Sequence, residues 1–337
     1  MGGKALKNTY TRRYEKAEYE VLAHEVLTQL QQDFPERKIA AIPAYRSKTS
    51  FGDLDILFDT NHLNNDLSEY IKAQFKPNEL VRNTNVYSFD YQAFQIDIIG
   101  CPQENFDISL HYFSWNDLGN ILGRVYHKMG FKYGYAGLHL ILKDNNHQYA
   151  DICVSKDIDR ILAFAEYDSQ RFHDGFNDLE EIFQFAASSP FFNKAIYLLE
   201  NRNHASRIRD KKRPTYTSLL KWLKSKDDLP TYPWATMRDQ CGTQLDEVFL
   251  QRAFSHFPEL QPIYETIQAQ HERNKTIHEK FNGRLIAEWS GLQEKDLGNF
   301  MQSLKVKGQE HFGNFAEWLL QSDLNHIETW VKQQLRL

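Results

Sequence analysis

The sequence predicts an α+β protein in which a mixed sheet with helices is followed by an all-helical domain. Three observations favour this fold class. Short apolar stretches typical of strands are confined to about residues 38–154. An amphipathic helix is predicted before them, and after about residue 157 long helical patterns replace the strand signals. We therefore expect one domain over residues 1–160 and a second, helical domain over residues 170–337.

In the first domain, the spacing of apolar residues predicts each element. The first helix should cover residues 14–33, because Leu22, Val26 and Leu30 recur at helical spacing and Pro35 ends it. Further helices are predicted over residues 67–75 and 118–129. An apolar run at 38–44 is followed by predicted strands at 53–58, 86–91, 93–99, 138–142 and 149–154, with a turn at 61–65.

The second domain shows helical periodicity and no internal repeat. Its predicted helices cover residues 178–187, 191–201, 217–224, 244–256, 262–278, 296–304 and 312–320.

Composition excludes several classes of protein. The 337 residues include 40 Lys and Arg against 45 Asp and Glu, so a wholly basic nucleic-acid binder is excluded but a local basic face is not. Three cysteines (Cys101, Cys153 and Cys241) form no C-x-x-C pair, which argues against structural zinc and fits a reducing compartment. No apolar run approaches the ~20 residues of a membrane span, and residues 1–14 lack a signal-peptide core. We expect a cytoplasmic protein without a membrane segment.

Carboxylates on two predicted strands form the sharpest local pattern. Asp53 and Asp55 are two residues apart after Gly52, so their side chains should share one face of a strand. Asp97 lies on a second strand framed by apolar residues. Three carboxylates from neighbouring strands can hold two Mg²⁺ or Mn²⁺ ions about 4 Å apart, a geometry that serves in-line phosphoryl transfer. The alternative is a solvated edge strand with incidental acidic residues.

The segment from Arg46 to Asp55 resembles the palm signature of the family X DNA polymerases, the DNA polymerase beta type, within the nucleotidyltransferase superfamily. The likeness continues at Asp97, through residues 112–120, and over 124–132, so that it spans about residues 38–145. The resemblance implies a nucleotidyltransferase palm in which Asp53, Asp55 and Asp97 bind two metal ions. Asp97 would also help to activate a 3′-hydroxyl.

The resemblance also implies a set of nucleotide-binding residues. They are Arg46, Ser47, Lys48, Gly52, Tyr112, Phe113, Asp117 and Asn120. The aromatic pair could instead be core residues, and the two polar residues after it could be surface residues. The sequence departs from the family at Ile42-Pro43-Ala44, where the family has a phosphate-binding Gly-Ser pair, and at Trp115, which replaces a glycine. Proline has no N–H to donate to a phosphate.

Basic residues predict contacts to nucleic acid. The family contacts the template side at the position of Arg124, and Lys128 lies one turn further. A basic run interleaved with aromatic residues suits a nucleic-acid backbone and stacked bases. The run consists of Arg207, Arg209, Lys211, Lys212 and Arg213. A solvated helix face is the alternative for both groups.

Two further features bear on which molecule would accept the transferred nucleotide. Residues 282–301 are similar to a helical segment of tRNA nucleotidyltransferases and bacterial poly(A) polymerases, which implies an RNA end. Only about 40 residues precede the predicted palm, so we do not expect the lyase and DNA-binding domains of a family X repair polymerase.

We therefore expect metal-dependent transfer of a nucleoside monophosphate from a nucleoside triphosphate to a nucleic-acid 3′ end, with RNA or tRNA ahead of DNA. The alternatives are a reduced, template-dependent family X DNA polymerase, a catalytically idle palm that acts as a binding module, and transfer to a protein or small molecule.

Overall fold

The structure, a computed structural model, describes residues 5–61, 66–239 and 246–335. Within these residues the protein is mixed α+β. The chain forms two compact units, Met1–Pro258 and Glu259–Leu337. This division falls later than the boundary predicted between residues 160 and 170, because the helices that follow residue 157 belong to the same unit as the sheets. No helix among the described residues is long and apolar enough to cross a membrane.

The described residues in the first part of unit 1 form eleven helices and strands, two of which, the strands at residues 53–59 and 94–101, carry the three carboxylates predicted to bind metal. They are β1 (Tyr14–Glu15), α1 (Lys16–Asp33), β2 (Ile39–Ala41), β3 (Ser50–Phe51), β4 (Asp53–Asp59), α2 (Leu67–Phe75), β5 (Leu80–Asn83), β6 (Val86–Tyr91), β7 (Phe94–Cys101), α3 (Phe106–Phe113) and α4 (Leu118–Lys128). Of the turn predicted at 61–65, residues 62–65 lie outside the described residues.

A five-stranded sheet has the order β2-β4-β7-β6-β5. Strands β4 and β7 are parallel, whereas all the other neighbours are antiparallel. Leu54 and Ile56 of β4 are fully buried together with Ile96 and Ile98 of β7, in a core that also takes the apolar faces of α1 and α2. Because side chains alternate along a strand, the acidic residues between these apolar ones lie on the opposite face of the sheet.

The remainder of unit 1 is a second sheet followed by helices. Strands β8 (Phe131–Gly134), β9 (Gly137–Asp144) and β10 (His147–Ser155) form an antiparallel sheet in the order β10-β9-β8. The helices that follow are α5 (Ile158–Phe164), α6 (Ser169–Asp174), α7 (Leu179–Ala186), α8 (His204–Lys211), α9 (Pro214–Lys224) and α10 (Glu247–His256).

The helix predicted over residues 191–201 is wrong. The chain there forms two short 3₁₀ turns, Lys194–Tyr197 and Leu199–Asn201. Asn193 explains the difference, because its side chain accepts from Ala195 N and its amide donates to Tyr232 O at 2.9 Å. These hydrogen bonds hold Asn193 against the segment at Tyr232, and the backbone there does not form the hydrogen bonds of a regular helix.

Unit 2 consists of helices in the described residues. They are α11 (Leu260–Lys280), α12 (Gly283–Ser290), α13 (Glu294–Phe312), α14 (Phe315–Gln321) and α15 (Leu324–Gln334). Their core combines fully buried aliphatic residues such as Ile286, Leu304 and Val331 with the aromatic rings of Phe315 and Trp330. Gly291 has φ 72° at the end of α12, which is a usual place for a glycine in the left-handed region.

Gly119 of α4 lies so close to Tyr112 of α3 that we expect a side chain at this position to destabilise the protein. A Cβ there would lie 2.8 Å from ring carbon Cδ2 of Tyr112 and closer still to the carbonyl oxygen of that residue. We expect Gly119→Ala to lower the free energy of unfolding in urea by roughly 1–3 kcal/mol, because backbone cannot move aside cheaply.

The matched control is Gly123→Ala on the same helix, where the nearest atom would be 3.7 Å away. It should leave stability unchanged or raise it by up to ~1 kcal/mol through helix propensity. Equal effects of the two substitutions would contradict a close approach at Gly119.

Candidate active site

Three carboxylates converge at one end of the five-stranded sheet. The parallel register of β4 and β7 places Asp55 beside Asp97 and Asp53 beside Gln95. One carboxylate oxygen from each of Asp53, Asp55 and Asp97 lies within 4.8 Å of the others. All three residues are partly buried. Clustered carboxylate oxygens are the donors that hard divalent cations such as Mg²⁺ and Mn²⁺ prefer, so the donor set fits the predicted metals.

The crowding of these acids disturbs their ionisation. Burial raises the pKa of Asp55 to about 8, and the negative charges of Asp53 and Asp97 add to the effect. Burial raises the pKa of Asp97 to about 6, although a hydrogen bond from Ser88 favours its charged form. The Gln95 amide donates to both carboxylate oxygens of Asp97, at 2.9 and 3.0 Å, and so fixes their orientation. A divalent cation would offset the repulsion that keeps these groups from ionising together.

A cavity of about 510 Å³ adjoins the carboxylates. This volume is within the usual range for small-molecule sites. Segments from distant parts of unit 1 form its wall: Tyr19 of α1, the loop 42–44 after β2, Phe113 at the end of α3, the loop 116–117 before α4, and Pro214 with Thr215 at the start of α9.

Four of the predicted nucleotide-binding residues line this cavity. They are Lys48, Gly52, Phe113 and Asp117. Burial lowers the pKa of Lys48, while the nearby charges of Asp53 and Asp55 oppose that shift. A cation thus lies close to the acidic cluster, and it faces the same space.

The other four predicted nucleotide-binding residues are not among those that line the cavity. The Arg46 guanidinium donates to Asn177 Oδ1 at 3.2 Å and to the carbonyl oxygen of Asp174. The Ser47 N–H donates to Asn177 O at 2.8 Å. Both residues are therefore held against the loop that follows α6. The Tyr112 ring packs edge-on against Tyr133, with centroids 5.3 Å apart.

Asn120 is partly buried on the first turns of α4. Tyr112 and Asn120 do not line the cavity, whereas their sequence neighbours Phe113 and Asp117 do.

Arg124 and Lys128, which the sequence predicts to contact nucleic acid, both have partners within the protein. Arg124 Nη2 lies 3.2 Å from Asp210 Oδ2, and the two side chains are 14% and 1% exposed. Lys128 Nζ donates to the carbonyl oxygens of Thr236 and Arg238, both at 2.8 Å. These contacts connect α4 to α8 and to residues 236–238.

The basic run 207–213 divides into different environments. Arg209 Nε lies 3.3 Å from Asp210 Oδ1, whereas Arg213 Nη1 lies 3.2 Å from Asp117 Oδ1 at the cavity. Lys211 and Lys212 are exposed, and Arg207 is partly buried. The exposed cations of the run are therefore Arg209, Lys211 and Lys212.

Sequence reasoning missed several residues of the cavity wall. Asn116 Oδ1 is buried and has no hydrogen-bond partner among the described residues. Trp115 and Asn116 both have positive φ, 60° and 62°, which is unusual outside glycine and needs a well-packed surrounding. Thr215 was missed as well, and its only local signal is the preceding Pro214, which marks the first turn of a helix.

The raised pKa of Asp55 predicts how stability depends on pH. Its ordinary value is 3.8, so between about pH 4 and pH 8 the folded protein keeps a proton that the unfolded chain releases. The metal-free protein should therefore lose stability as pH rises through this range, by up to about 1.4 kcal/mol per pH unit. Because Mg²⁺ or Mn²⁺ needs ionised ligands, the ion should raise the melting temperature more at pH 8 than at pH 6.

Thermal unfolding of wild type, Asp55→Asn and the exposed control Asp107→Asn tests this expectation. Asp107 is 72% exposed and pairs with Lys38 on the surface. Asp55→Asn should flatten the pH dependence and remove most of the metal effect, whereas Asp107→Asn should behave as wild type. A metal shift that survives Asp55→Asn would contradict the assigned ligand.

The buried pair of Arg124 and Asp210 predicts a stability effect as well. Arg124→Met should lower the free energy of unfolding by about 1–3 kcal/mol, because buried Asp210 loses one of its arginine partners but keeps Arg202. Lys212→Met also replaces a cation with methionine, but at an exposed position, and should stay within about 0.5 kcal/mol of wild type. If Arg124→Met instead has wild-type stability and binds nucleic acid more weakly, then Arg124 contacts nucleic acid, as the sequence predicts.

Comparison with known proteins does not assign the site. No family model matches this chain, and no curated protein matches it. Its chemistry is therefore inferred from its own residues: three converging carboxylates, a neighbouring lysine and a cavity large enough for a nucleotide.

Proposed function

We propose that this protein is a metal-dependent nucleotidyltransferase that transfers a nucleoside monophosphate from a nucleoside triphosphate to a nucleic-acid 3′-hydroxyl. The observation that carries the proposal is the convergence of Asp53, Asp55 and Asp97 within 4.8 Å at the wall of a cavity of about 510 Å³. Two Mg²⁺ or Mn²⁺ ions bound there would lower the pKa of the attacking hydroxyl and neutralise charge on the phosphates.

The transfer is a single displacement at the α-phosphorus. The oxygen of the 3′-hydroxyl forms a bond to this phosphorus, the bond to the β-phosphate oxygen breaks, and pyrophosphate leaves with the electron pair. Asp97 is suited to accept the hydroxyl proton, because it lies beside Asp55 in the cluster and Gln95 holds both of its oxygens. Asp53 and Asp55 would hold the metal ions.

In this proposal the sheet β2-β4-β7-β6-β5 with α1–α4 is the nucleotidyltransferase palm, and the later helices support the acceptor. The exposed cations Arg209, Lys211 and Lys212 offer contacts to a nucleic-acid backbone. RNA, or tRNA, is placed ahead of DNA because residues 282–301 are similar to RNA-end transferases.

Template-independent transfer is favoured over a template-dependent DNA polymerase by the environment of Arg124. This residue occupies the position where the family contacts the template side, yet its guanidinium is committed to Asp210 at 3.2 Å. An idle palm is disfavoured, because three crowded carboxylates raise the free energy of the folded state and an unused site has no reason to keep them.

Nucleotide incorporation from labelled NTPs and dNTPs, with Mg²⁺ or Mn²⁺, tests the proposal. The acceptors are single-stranded RNA, a tRNA lacking its 3′ end, and a primer–template DNA. Asp53→Asn, Asp55→Asn and Asp97→Asn should each lower the rate by about a thousandfold or more, since each removes a charged metal ligand. The control Asp107→Asn should keep wild-type activity, because this side chain is 72% exposed and outside the cavity wall.

The outcomes separate the candidate functions. Extension of RNA without regard to template supports the proposal, whereas extension dictated by a DNA template favours the reduced polymerase. Activity that survives all three Asp→Asn substitutions contradicts the carboxylate assignment. Absence of transfer to every acceptor would leave the binding module as the better explanation.

A further inference from the structure

Tyr135 is an exposed aromatic residue next to the wall of the cavity. It lies with Ala136 in the two-residue turn between β8 and β9, and it is 54% exposed. Its ring is nearly parallel to that of Phe113, with centroids 6.1 Å apart and 11° between the planes. Because Phe113 lines the cavity, an aromatic surface continues from the cavity wall to the exposed ring of Tyr135.

A hydrogen bond from α3 anchors the turn that carries Tyr135. The hydroxyl of Ser109, a fully buried residue, donates to Tyr135 O at 2.8 Å. Gly134 and Gly137 flank the turn and are paired with each other in the register of β8 and β9. A Cβ at Gly134 would meet no atom of a non-adjacent residue within 4 Å, so the space beside the turn is open. The backbone of Tyr135 is therefore held in place while its ring stays accessible.

Two arginines act on the same group of aromatic residues. Tyr112 packs edge-on against Phe113, with centroids 5.4 Å apart. Burial raises the pKa of the Tyr112 hydroxyl, whereas the charges of Arg213 and Arg209 oppose this shift. The hydroxyl of Tyr135 acts on the same pKa. The two arginines and Tyr135 are therefore all within electrostatic reach of Tyr112.

The two arginines differ in what they can offer to a ligand. Arg213 Nη1 lies 3.2 Å from Asp117 Oδ1 at the cavity wall, and both side chains are partly buried. Arg209 Nε lies 3.3 Å from Asp210 Oδ1, but 49% of the Arg209 side chain is exposed. Arg209 is therefore the cation of this pair that can contact a phosphate at the protein surface.

An exposed aromatic ring and an exposed cation near a candidate phosphoryl-transfer cavity match the chemistry of a single-stranded nucleic acid. Bases stack on aromatic side chains, and backbone phosphates contact cations. The bases of a duplex are already stacked on one another, so their faces are not available to Tyr135. An apolar protein surface is a poorer match, because it would desolvate Arg209 without pairing its charge.

We propose that Tyr135 stacks on a base near the 3′ end of a single-stranded nucleic-acid acceptor, while Arg209 binds a neighbouring phosphate. This contact holds the strand beside the cavity and leaves its 3′-hydroxyl free to reach the carboxylates. Tyr135 is thus a positioning residue that does not touch the reacting atoms. The inference rests on the proposed function, because it takes the bound strand to be the acceptor of the transfer.

The fluorescence of 2-aminopurine in a short single-stranded RNA tests the stacking without requiring catalysis. The fluorescent base is placed in turn at each of the last three positions, and the RNA is titrated with the full chain in Mg²⁺ without a nucleoside triphosphate. Wild type should quench the base at one of these positions. Tyr135→Leu keeps an apolar side chain but removes the ring, so this quenching should be lost and Kd should rise about tenfold. Tyr135→Phe should quench and bind within about twofold of wild type.

The matched control for the ring is His147→Leu, which removes an exposed ring from the start of β10, at the opposite end of β9. It should quench and bind as wild type does. Arg209→Gln should keep the quenching but reduce the slope of log Kd against log salt by about one. Lys143→Gln, at an exposed position of β9, should leave that slope unchanged. Equal melting temperatures of the variants verify folding.

An RNA with an abasic residue at the quenched position isolates the contact between Tyr135 and the base. Wild type should bind this RNA about tenfold more weakly than the intact RNA, whereas Tyr135→Leu should bind both equally. The proposal is overturned if wild type quenches at none of the three positions, if Tyr135→Leu quenches and binds as wild type does, or if His147→Leu loses as much. It is also overturned if the abasic residue weakens binding to Tyr135→Leu as much as to wild type.

Transfer assays with the same variants separate this inference from the proposed function. Quenching that depends on Tyr135, without transfer to any acceptor, would support the stacking contact and contradict the transferase. Transfer that is unaffected by Tyr135→Leu, in KM for the RNA as well as in kcat, would support the transferase and contradict the stacking contact.

Discussion

The parallel pairing of β4 with β7 is the constraint on which the rest of the site depends. The register sets Asp55 beside Asp97, and it is fixed because Leu54, Ile56, Ile96 and Ile98 must all enter the core beneath α1 and α2. A shift of one residue in either strand would exchange its buried and outward faces, which no partial repacking could accommodate. Hydrophobic burial on one face therefore forces the acidic groups together on the other. The raised pKa values of Asp55 and Asp97 are the electrostatic cost of that arrangement.

The start of α9, which lines the cavity, depends on buried charge as well as on apolar burial. Asp210 of α8 is 1% exposed and lies 3.2 Å from Arg124 of α4 and 3.3 Å from Arg202. Arg202 also lies 3.0 Å from Asp239. Because α9 starts three residues after α8 ends, this buried network sets where the first turn of α9 lies. Basic residues that the sequence predicts to contact nucleic acid thus help to position the helix whose first residues line the cavity.

The cavity wall combines charges of both signs. The three carboxylates concentrate negative charge and need cations to balance it. Lys48 and Arg13 are cations of the same wall, and Lys48 lies close to Asp53 and Asp55. Phe113 and Asn116 also line the cavity, and the buried Oδ1 of Asn116 has no partner among the described residues. An aromatic face and an unpaired polar group are the kinds of surface that orient a sugar or base.

The sequence by itself determined the elements whose pattern is local. The strands at 53–58, 86–91 and 93–99 and the helices at 67–75 and 118–129 agree with the structure within a few residues, because alternation and helical spacing report directly on burial. The spacing of Asp53 and Asp55 likewise placed both side chains on one face before any tertiary contact was known.

Only the tertiary structure decided which charges are free and which segments meet. Arg124 is committed to a partner 86 positions away, and local spacing cannot distinguish such a pair from a solvated face. The inclusion of α5–α10 in the first unit and the 3₁₀ turns at residues 194–201 depend on contacts of the same long range. Thr215 lines the cavity for the same reason: its sequence context marks a helix start, but only the tertiary structure brings that start to the cavity wall.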